Sequence, residues 1–343
     1  MTASSYIVFS YRGRDFLSVP ARPAKLKGIG LRLYKESSTR RRLFKAAIRL
    51  GVLVGVDKWI GREVPTPVPK HPSFDFESWL EQVHRDLRIS NLQVVISFPG
   101  QPGRARFYVN LLSAAGDPVG FAKISLDSKN DRCLATEAQA LGALARYEKF
   151  SFRLPRVLVE GDFNSHRYLI TETMPVNAQP VAAKWETIPR RCRDELAGIS
   201  RRFQAVRQLS WWNAFCELRG EIRSLAAAID SWADQEIEVG WAHGDFSHRN
   251  ICRVGNQVWI FDWENSCDDA PLMTDEVRFA WALQSRKMIS DSVKAASALP
   301  PHLVTPSDPR KTRDLAFALA FLCTRTQGGI VCGRHWSQIR QRR

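Results

Sequence analysis

The chain has 343 residues, 44% of them hydrophobic, and a formal net charge of +15 at pH 7. This size and composition exclude a disordered chain and predict a folded protein with two or more lobes. The most apolar window, residues 48–56, is too short to cross a bilayer. The seven cysteines form no Cys-x-x-Cys pair and do not cluster with histidines, which argues against a zinc site or a disulfide framework. We therefore expect a cytoplasmic protein.

The positive charge is concentrated near the N-terminus. Residues 1–70 contain 15 Lys and Arg against 4 Asp and Glu, a net charge of +11, whereas residues 71–173 are balanced at 12 and 12. A basic segment attracts anionic lipid head groups, acidic glycans or nucleic acid. Because no nucleic-acid-binding motif is recognisable, we expect no specific nucleic-acid partner.

Two short features frame the basic N-terminal segment. Residues 6–9 and 16–19, with Gly13 between them, predict a hairpin. The proline-rich run at residues 64–72 predicts a linker, because proline fixes its own backbone and removes hydrogen-bond donors.

Between these features, residues 37–54 predict an amphipathic helix with apolar positions beside a basic face. Its basic residues are Arg40, Arg41, Arg42, Lys45 and Arg49. Two interpretations stay open at this point. The helix lies on an anionic membrane surface, as a peripheral contact, or it packs on the neighbouring lobe with its basic face in solvent.

After the linker, residues 74–87 predict a helix. Three strand patterns follow, at residues 93–98, 106–112 and 119–125. This order predicts a small antiparallel sheet. Gly100 and Gly103 lie in its first turn, where glycine lets the backbone approach a phosphate closely, and a plain hairpin turn is the alternative interpretation.

The rest of the chain predicts one more helix beside the sheet, two further strands and a helical lobe. The first helix is expected over residues 133–150, and the strands at 154–160 and 167–174. Helical patterns then follow at residues 190–209, 212–232, 272–288 and 313–324.

Chemically informative residues are concentrated in residues 241–264, which predict a loop, a strand, a tight turn and a second strand. Asp245 and Asn250 are five positions apart in the loop, and Asp262 follows the second strand. A few hard oxygen ligands that converge from neighbouring strand ends suit a magnesium–nucleotide site, because phosphates and waters fill the rest of the coordination shell. The alternative is an ordinary loop and hairpin whose polar groups only cap turns.

Two motifs in this stretch resemble the catalytic loop and metal-binding aspartate of the aminoglycoside phosphotransferase and choline kinase family, a branch of the protein-kinase-like fold. They are His243-Gly-Asp245-Phe-Ser-His-Arg-Asn250 and Ile260-Phe-Asp262-Trp-Glu264. The resemblance implies that Asp245 orients the acceptor hydroxyl and takes its proton. It also implies that Asn250 and Asp262 hold metal ions on the phosphates, with ATP and Mg²⁺ as cofactors.

Three further residues match positions of this family. Lys123 lies in the third strand, where family members place the lysine that contacts the phosphates. Glu137 lies in the early turns of the next helix, where the family keeps the carboxylate that pairs with that lysine. Glu172 begins a segment that resembles the hinge whose backbone meets the adenine edge. The resemblance covers roughly residues 90–330.

The resemblance implies a two-lobed α+β, protein-kinase-like fold. It would comprise a basic N-terminal extension at residues 1–75, a nucleotide-binding lobe with a small antiparallel sheet at 76–174 and a helical catalytic lobe at 175–343. Asp275 follows Asp262 closely and resembles the family's buried aspartate that braces the catalytic loop. The short interval between the two leaves no room for the activation segment on which protein kinases dock peptides. We therefore expect a small-molecule hydroxyl acceptor, such as a sugar, an amino alcohol or a glycoconjugate intermediate.

Several alternatives stay open at the sequence level. The candidates to contact the transferred phosphate are Ser247, His248 and Arg249. Asp268 and Asp269 either line a pocket for a cationic acceptor or form an acidic turn. The competing function is a nucleotide-binding pseudokinase or scaffold that acts through its basic extension, and the intact set of catalytic and metal-binding residues argues against it.

Overall fold

The computed structural model describes residues 5–33, 39–56, 60–67, 74–98, 105–147, 150–181, 190–218, 223–283, 311–312, 314–316 and 318–320. The chain forms two compact units. The first unit comprises Met1–Leu134 and Pro155–Asn177, and the second comprises Ala135–Leu154 and Ala178–Arg343. The predicted domain boundaries at residues 75 and 174 stay predictions.

The strands, in chain order, are β1 (Tyr6–Tyr11), β2 (Arg14–Pro20), β3 (Arg62–Val64), β4 (Gln93–Ser97), β5 (Arg106–Leu112), β6 (Pro118–Ser125), β7 (Phe152–Arg153), β8 (Val157–Phe163), β9 (His166–Thr171), β10 (Gln179–Pro180), β11 (Arg202–Ala205), β12 (Glu236–Ala242), β13 (Ile251–Val254), β14 (Gln257–Ile260) and β15 (Cys267–Pro271). The helices are α1 (Ala24–Leu33), α2 (Thr39–Leu53), α3 (Phe76–Leu87), α4 (Ser128–Leu144), α5 (Arg190–Gly198), α6 (Trp212–Leu218), α7 (Arg223–Ser231) and α8 (Thr274–Leu283).

The first unit is built on an eight-stranded antiparallel sheet in the order β3-β1-β2-β4-β5-β6-β9-β8. The predicted hairpin of β1 and β2 and the three strands β4 to β6 are confirmed. Strand β2 pairs with β4, with Leu17 opposite Ser97. The N-terminal hairpin therefore shares one sheet with the segment expected to bind nucleotide.

Both faces of this sheet are covered, and β4 shows how. Val94 belongs to a core cluster with Trp79 of α3, whereas Val95 belongs to a different cluster with Leu26 of α1 and Ile48 of α2. Successive side chains of a strand point to opposite faces, so the two clusters lie on opposite sides of the sheet. Helix α3 therefore covers one face, and α1 and α2 cover the other.

Local sequence explains the position of α3. Asp75 accepts a hydrogen bond from the backbone N–H of Ser78 at 3.2 Å and so caps the first turn. Trp79, Leu80 and Val83 then fall on one side of the helix and are buried. The predicted helix over residues 74–87 is confirmed from residue 76.

The second unit combines helices with two small sheets, in the orders β10-β13-β14-β7 and β11-β12-β15. The helix predicted over residues 190–209 is wrong beyond Gly198. Residues 202–205 instead form β11, because they pair antiparallel with β12. The helix predicted over 212–232 consists of α6 and α7 on either side of residues 219–222, which lie outside the described residues.

The remaining predictions of secondary structure are confirmed within the described residues, with shifted ends. The predicted helices at residues 272–288 and 313–324 lie partly outside those residues, beyond 283 and 320 and at 313 and 317. Helix α4 covers Ser128–Leu144 rather than residues 133–150, and it begins after Asp127, which accepts a 2.7 Å hydrogen bond from the N–H of Asn130. Near the C-terminal end, the described residues between 311 and 320 are helical, and Leu315 and Leu319 are buried in the core of the second unit. The α+β class of the fold is confirmed.

The composition predicted no membrane-spanning segment and no disulfide framework. Within them, no helix combines the length and apolar character that crossing a bilayer requires. None of the cysteines described there is joined in a disulfide; they are Cys133, Cys192, Cys216, Cys252 and Cys267.

The pairing of β2 with β4 predicts that the N-terminal segment stabilises the first unit. Leu17→Ala should lower the free energy of unfolding by about 2–5 kcal/mol, because Leu17 is fully buried and its loss leaves a cavity. Leu53→Ala is the matched control, since Leu53 is 82% exposed, and it should change stability by roughly 0.5 kcal/mol or less. Urea denaturation measures both. Equal, small effects would show that this segment is not part of the cooperative unit.

Candidate active site

The predicted catalytic loop connects β12 to β13 in the second unit. The strand after the loop was predicted, whereas β12 before it was not, and Trp241 and Ala242 belong to β12 rather than to the loop. The turn of this loop requires glycine at position 244. Gly244 has φ +76°, and a Cβ added there would lie 2.1 Å from the carbonyl oxygen of Asn265. Any larger residue would push the loop away from that backbone.

A single carboxylate holds the start of the loop. Asp275, in the first turn of α8, accepts hydrogen bonds from the backbone N–H of His243 at 2.8 Å and of Gly244 at 3.0 Å. Burial raises the pKa of Asp275 to about 7, and the two N–H groups act against this rise by stabilising the ionised form. Asp275 therefore has the bracing contacts that the sequence resemblance implied.

The imidazole of His243 connects the loop to the end of β14. Its Nδ1 accepts from the backbone N–H of Asp245 at 3.1 Å, so its Nε2 carries the proton and donates to the carbonyl oxygen of Phe261 at 2.9 Å. Burial lowers the pKa of His243, which keeps the ring neutral, as these two bonds require. His243 thus joins the loop to the residue before Asp262.

The carboxylate of Asp245 is oriented by two side chains. Asn250 donates from Nδ2 to Oδ2 of Asp245 at 2.9 Å and also to its backbone carbonyl oxygen at 2.9 Å. Arg278 of α8 pairs with the other oxygen, Oδ1. The side chain of Asp245 keeps 25% of its surface exposed, so it is fixed in direction and still open to a substrate.

Arg278 is a site residue that the sequence analysis missed. The only indication was its position three residues after Asp275, because residues i and i+3 share one side of a helix. Helix α8 therefore presents both the carboxylate that braces the loop and the guanidinium that pairs with Asp245.

Three carboxylates of the second unit form a group that fits a divalent cation. Oxygen atoms of Glu137, Asp262 and Glu264 all lie within 4.8 Å of one another. Carboxylate oxygens are the ligands that Mg²⁺ and Ca²⁺ prefer. The group includes Asp262, which the sequence analysis named, and adds Glu137 and Glu264.

The backbone conformation of Asp262 is unusual for a residue with a side chain. Asp262 has φ +69°, a left-handed conformation that costs a non-glycine residue free energy and is often retained at functional sites. Asn250 was also predicted as a metal ligand. Its Nδ2 bonds to Asp245, which leaves the amide oxygen as its ligand atom, and this role stays a prediction.

Of the predicted nucleotide-binding residues, Lys123 and Glu172 lie in the first unit and Glu137 lies in the second. Lys123 is buried on β6, opposite Tyr108 of β5 and Leu169 of β9. Its pairing with Glu137, which belongs to the second unit, stays a prediction.

The predicted nucleotide site also includes a hinge at Glu172 and a glycine-containing turn. Glu172 donates its backbone N–H to the carbonyl oxygen of Arg156 at 2.8 Å, and its carboxylate lies 3.8 Å from Nε of the same arginine. Its proposed contact with adenine is not tested. The turn that contains Gly100 and Gly103 lies outside the described residues.

The prediction of an acidic turn at Asp268 and Asp269 is wrong. The two residues lie in strand β15 rather than in an acidic turn, because β15 pairs with β12. Asp269 is buried and accepts hydrogen bonds from Ser210 N–H at 2.6 Å, Ser210 Oγ at 2.8 Å and Cys267 Sγ at 2.7 Å. Its carboxylate therefore forms hydrogen bonds inside the second unit.

The three candidates for the phosphate contact differ in exposure. Ser247 is buried, His248 is partly buried and Arg249 is exposed. The carbonyl oxygen of Ser247 accepts from the N–H of Asn250 at 3.0 Å, so this residue helps to close the loop. The residue that contacts phosphate stays a prediction.

Comparison with known proteins gives only distant similarities. No family model matches the chain, and no curated protein matches its sequence. Among solved structures, the GDP and kanamycin complex of APH(2")-IIia has a TM-score of 0.43 and 10% identity, covering 73% of this chain and 90% of that one. The GDP complex of a mutant aminoglycoside 2'-phosphotransferase-IIIa has a TM-score of 0.42 and 12% identity, covering 74% and 93%.

A third solved structure is an amicoumacin kinase in complex with AMP-PNP and Ca²⁺. It has a TM-score of 0.34 and 8% identity, covering 75% of this chain and 79% of that one. Similarities of this strength do not establish a family. The case for function therefore depends on the residues of the site.

The brace made by Asp275 predicts a pH-dependent stability. Asn at this position has one acceptor oxygen for two backbone N–H groups, so Asp275→Asn should cost about 1–3 kcal/mol. Between pH 3.8 and about 7 the folded wild type keeps a proton on Asp275 that the unfolded chain has released. The contribution of Asp275 to stability therefore falls as pH rises through this window, and the variant lacks that fall.

Urea denaturation across this pH range measures the effect. The difference in unfolding free energy between wild type and Asp275→Asn should shrink with rising pH. Asp234→Asn is the control, because that carboxylate is 75% exposed and pairs only at the surface with Arg207. A constant difference between wild type and Asp275→Asn would contradict the assigned burial and bonding of this carboxylate.

Proposed function

We propose that the chain transfers a phosphoryl group from ATP to a hydroxyl group of a small molecule, with Mg²⁺ as the metal ion. The observation that carries the proposal is the carboxylate of Asp245, which Asn250 and Arg278 hold in a fixed direction on a braced loop. The acidic group formed by Glu137, Asp262 and Glu264 in the same unit supports it.

The proposed reaction needs one proton acceptor at the attacking oxygen. The acceptor hydroxyl forms a bond to the γ-phosphorus of ATP, the bond from that phosphorus to the bridging oxygen breaks, and ADP leaves with the bond electrons. The proton of the hydroxyl passes to the carboxylate of Asp245. A cation held by Asp262, Glu264 and Glu137 would neutralise charge on the phosphates.

The contacts of Asp245 leave room for this substrate. A carboxylate has about four lone-pair sites, and Asn250 and Arg278 each occupy one. Among the described residues no other hydrogen bond to these two oxygens is present, so their remaining sites can accept a hydrogen bond from a hydroxyl. Because both neighbours donate to the carboxylate, its plane stays fixed while the substrate binds, which lowers the entropic cost of orienting the reactants.

The other parts of the proposed site come from sequence resemblance. Lys123 would contact the phosphates of ATP, Gly100 and Gly103 would let the backbone approach them, and the hinge at Glu172 would meet the adenine. A sugar, an amino alcohol or a glycoconjugate intermediate is the proposed acceptor. A cytoplasmic location is proposed with it.

A pseudokinase or scaffold that only binds nucleotide is the competing function. It would need a nucleotide pocket and would have no use for an oriented proton acceptor. The paired contacts of Asp245 favour catalysis, because holding a carboxylate between an amide and a guanidinium restricts two side chains and costs conformational entropy.

The proposal predicts that Asp245→Asn removes phosphoryl transfer but retains nucleotide binding. ATP consumption by the purified protein should be measured with a panel of sugars, amino alcohols and aminoglycosides. With an acceptor that supports turnover, Asp245→Asn should lower kcat by about 100-fold or more, because asparagine cannot take the hydroxyl proton. ATP affinity should change little, since the substitution keeps the size of the side chain.

The matched control is Asp234→Asn, which removes an exposed carboxylate of the same unit and should keep wild-type turnover. Wild-type turnover in Asp245→Asn would exclude the proposed role of this residue. Nucleotide binding by the wild type without turnover on any acceptor in the panel would favour the scaffold.

A further inference from the structure

Helix α2 has one face packed against the first unit. Ile48 is fully buried. The ring centroid of Phe44 lies 5.1 Å from that of Tyr11 and 5.8 Å from that of Phe16. These contacts agree with the interpretation that α2 packs on the neighbouring lobe. They also fix the orientation of α2 on the sheet.

The neighbouring face of the same helix is apolar and exposed. Leu43, Leu50, Leu53 and Val54 are 68%, 63%, 82% and 63% exposed. Positions 43, 50 and 54 are separated by seven and four residues, so they fall on one side of a helix. We call these four residues the α2 apolar face.

This face continues beyond the helix and is concentrated in one segment. Val56 and Ile60 are each 40% exposed, and Ile60 lies against the helix, since a Cβ added to Gly51 would be 2.4 Å from its Cδ1. Within the described residues, eight large hydrophobic side chains are exposed, and six of them lie between residues 43 and 60. Exposed apolar groups that cluster in this way mark interaction surfaces.

The charge around the α2 apolar face identifies the partner. Helix α2 contains five Lys and Arg and no Asp or Glu, and residues 1–70 carry a net charge of +11. Arg49 is exposed on the helix itself. A second copy of the chain would bring the same positive charge to the contact and be repelled, whereas a surface of anionic lipids would attract it.

We propose that the α2 apolar face inserts into the interface of a membrane that contains anionic lipids and holds the protein there peripherally. The leucines enter the boundary between head groups and acyl chains, while basic residues of the segment stay among the anionic head groups. Each basic residue near such a surface strengthens binding about fivefold. The proposal does not depend on phosphoryl transfer.

Co-sedimentation of the full chain with lipid vesicles tests this proposal. The protein should sediment with vesicles of phosphatidylcholine mixed with phosphatidylglycerol and much less with phosphatidylcholine alone. Binding should weaken as salt is raised, because salt screens the charges. The double variant Leu43→Ser, Leu50→Ser should bind roughly tenfold more weakly, since it removes two of the inserting side chains.

Phe203→Ser is the matched control, because Phe203 is 56% exposed but belongs to the second unit. It should bind vesicles like the wild type. Circular dichroism should show that all variants keep the wild-type secondary structure, as expected for changes at exposed positions.

Three results would overturn the proposal. The first is equal vesicle binding by the wild type and the double variant, and the second is no binding of the wild type to anionic vesicles. The third is a wild-type protein that binds no vesicles but forms a dimer in size-exclusion chromatography, while the double variant is monomeric. The last result would identify a second copy as the partner. Turnover on a soluble acceptor is a separate assay, so failure of this proposal leaves the proposed enzymatic function untouched.

Discussion

The candidate active site depends on one buried carboxylate. Asp275 accepts hydrogen bonds from two backbone N–H groups at the start of the predicted catalytic loop, and these bonds fix the position of the turn at Gly244, immediately before Asp245. Burying the carboxylate is costly, which its raised pKa expresses, and the two hydrogen bonds offset part of that cost. The same helix provides Arg278 to the carboxylate of Asp245. Helix α8 thus fixes both the position of the loop and the direction of the Asp245 carboxylate.

The sheet of the first unit links the N-terminal segment to the proposed nucleotide-binding residues. Helices α1 and α2 cover the face of β4 that α3 does not cover, so the segment that carries most of the positive charge is also part of the core. A helix packed on one side can still use its other side for binding. The interpretation of α2 as a packed helix therefore holds for one face, and the proposed membrane contact would use the other.

Local patterns in the sequence predicted the features that depend on local interactions. The five-residue spacing of Asp245 and Asn250 fits the hydrogen bond that joins their side chains in the loop. Strands with clear apolar patterns, such as β4 to β6, were predicted correctly. Strand β11 was missed because its partner, β12, lies far along the chain beyond α6 and α7, and pairing at that distance overrode a helical pattern. Arg278 was missed for a similar reason, since its contact with Asp245 joins residues that are distant in sequence.

The central claim is that Asp245 and the acidic group of Asp262 and Glu264 form one metal–nucleotide site. Anomalous diffraction from Mn²⁺, in crystals grown with a non-hydrolysable ATP analogue, tests it most directly. We expect an anomalous peak within coordination distance of a carboxylate oxygen of Asp262, with the analogue's phosphates bound to the same ion. Bound nucleotide with no peak beside Asp262, or Mn²⁺ only at carboxylates elsewhere, would contradict it.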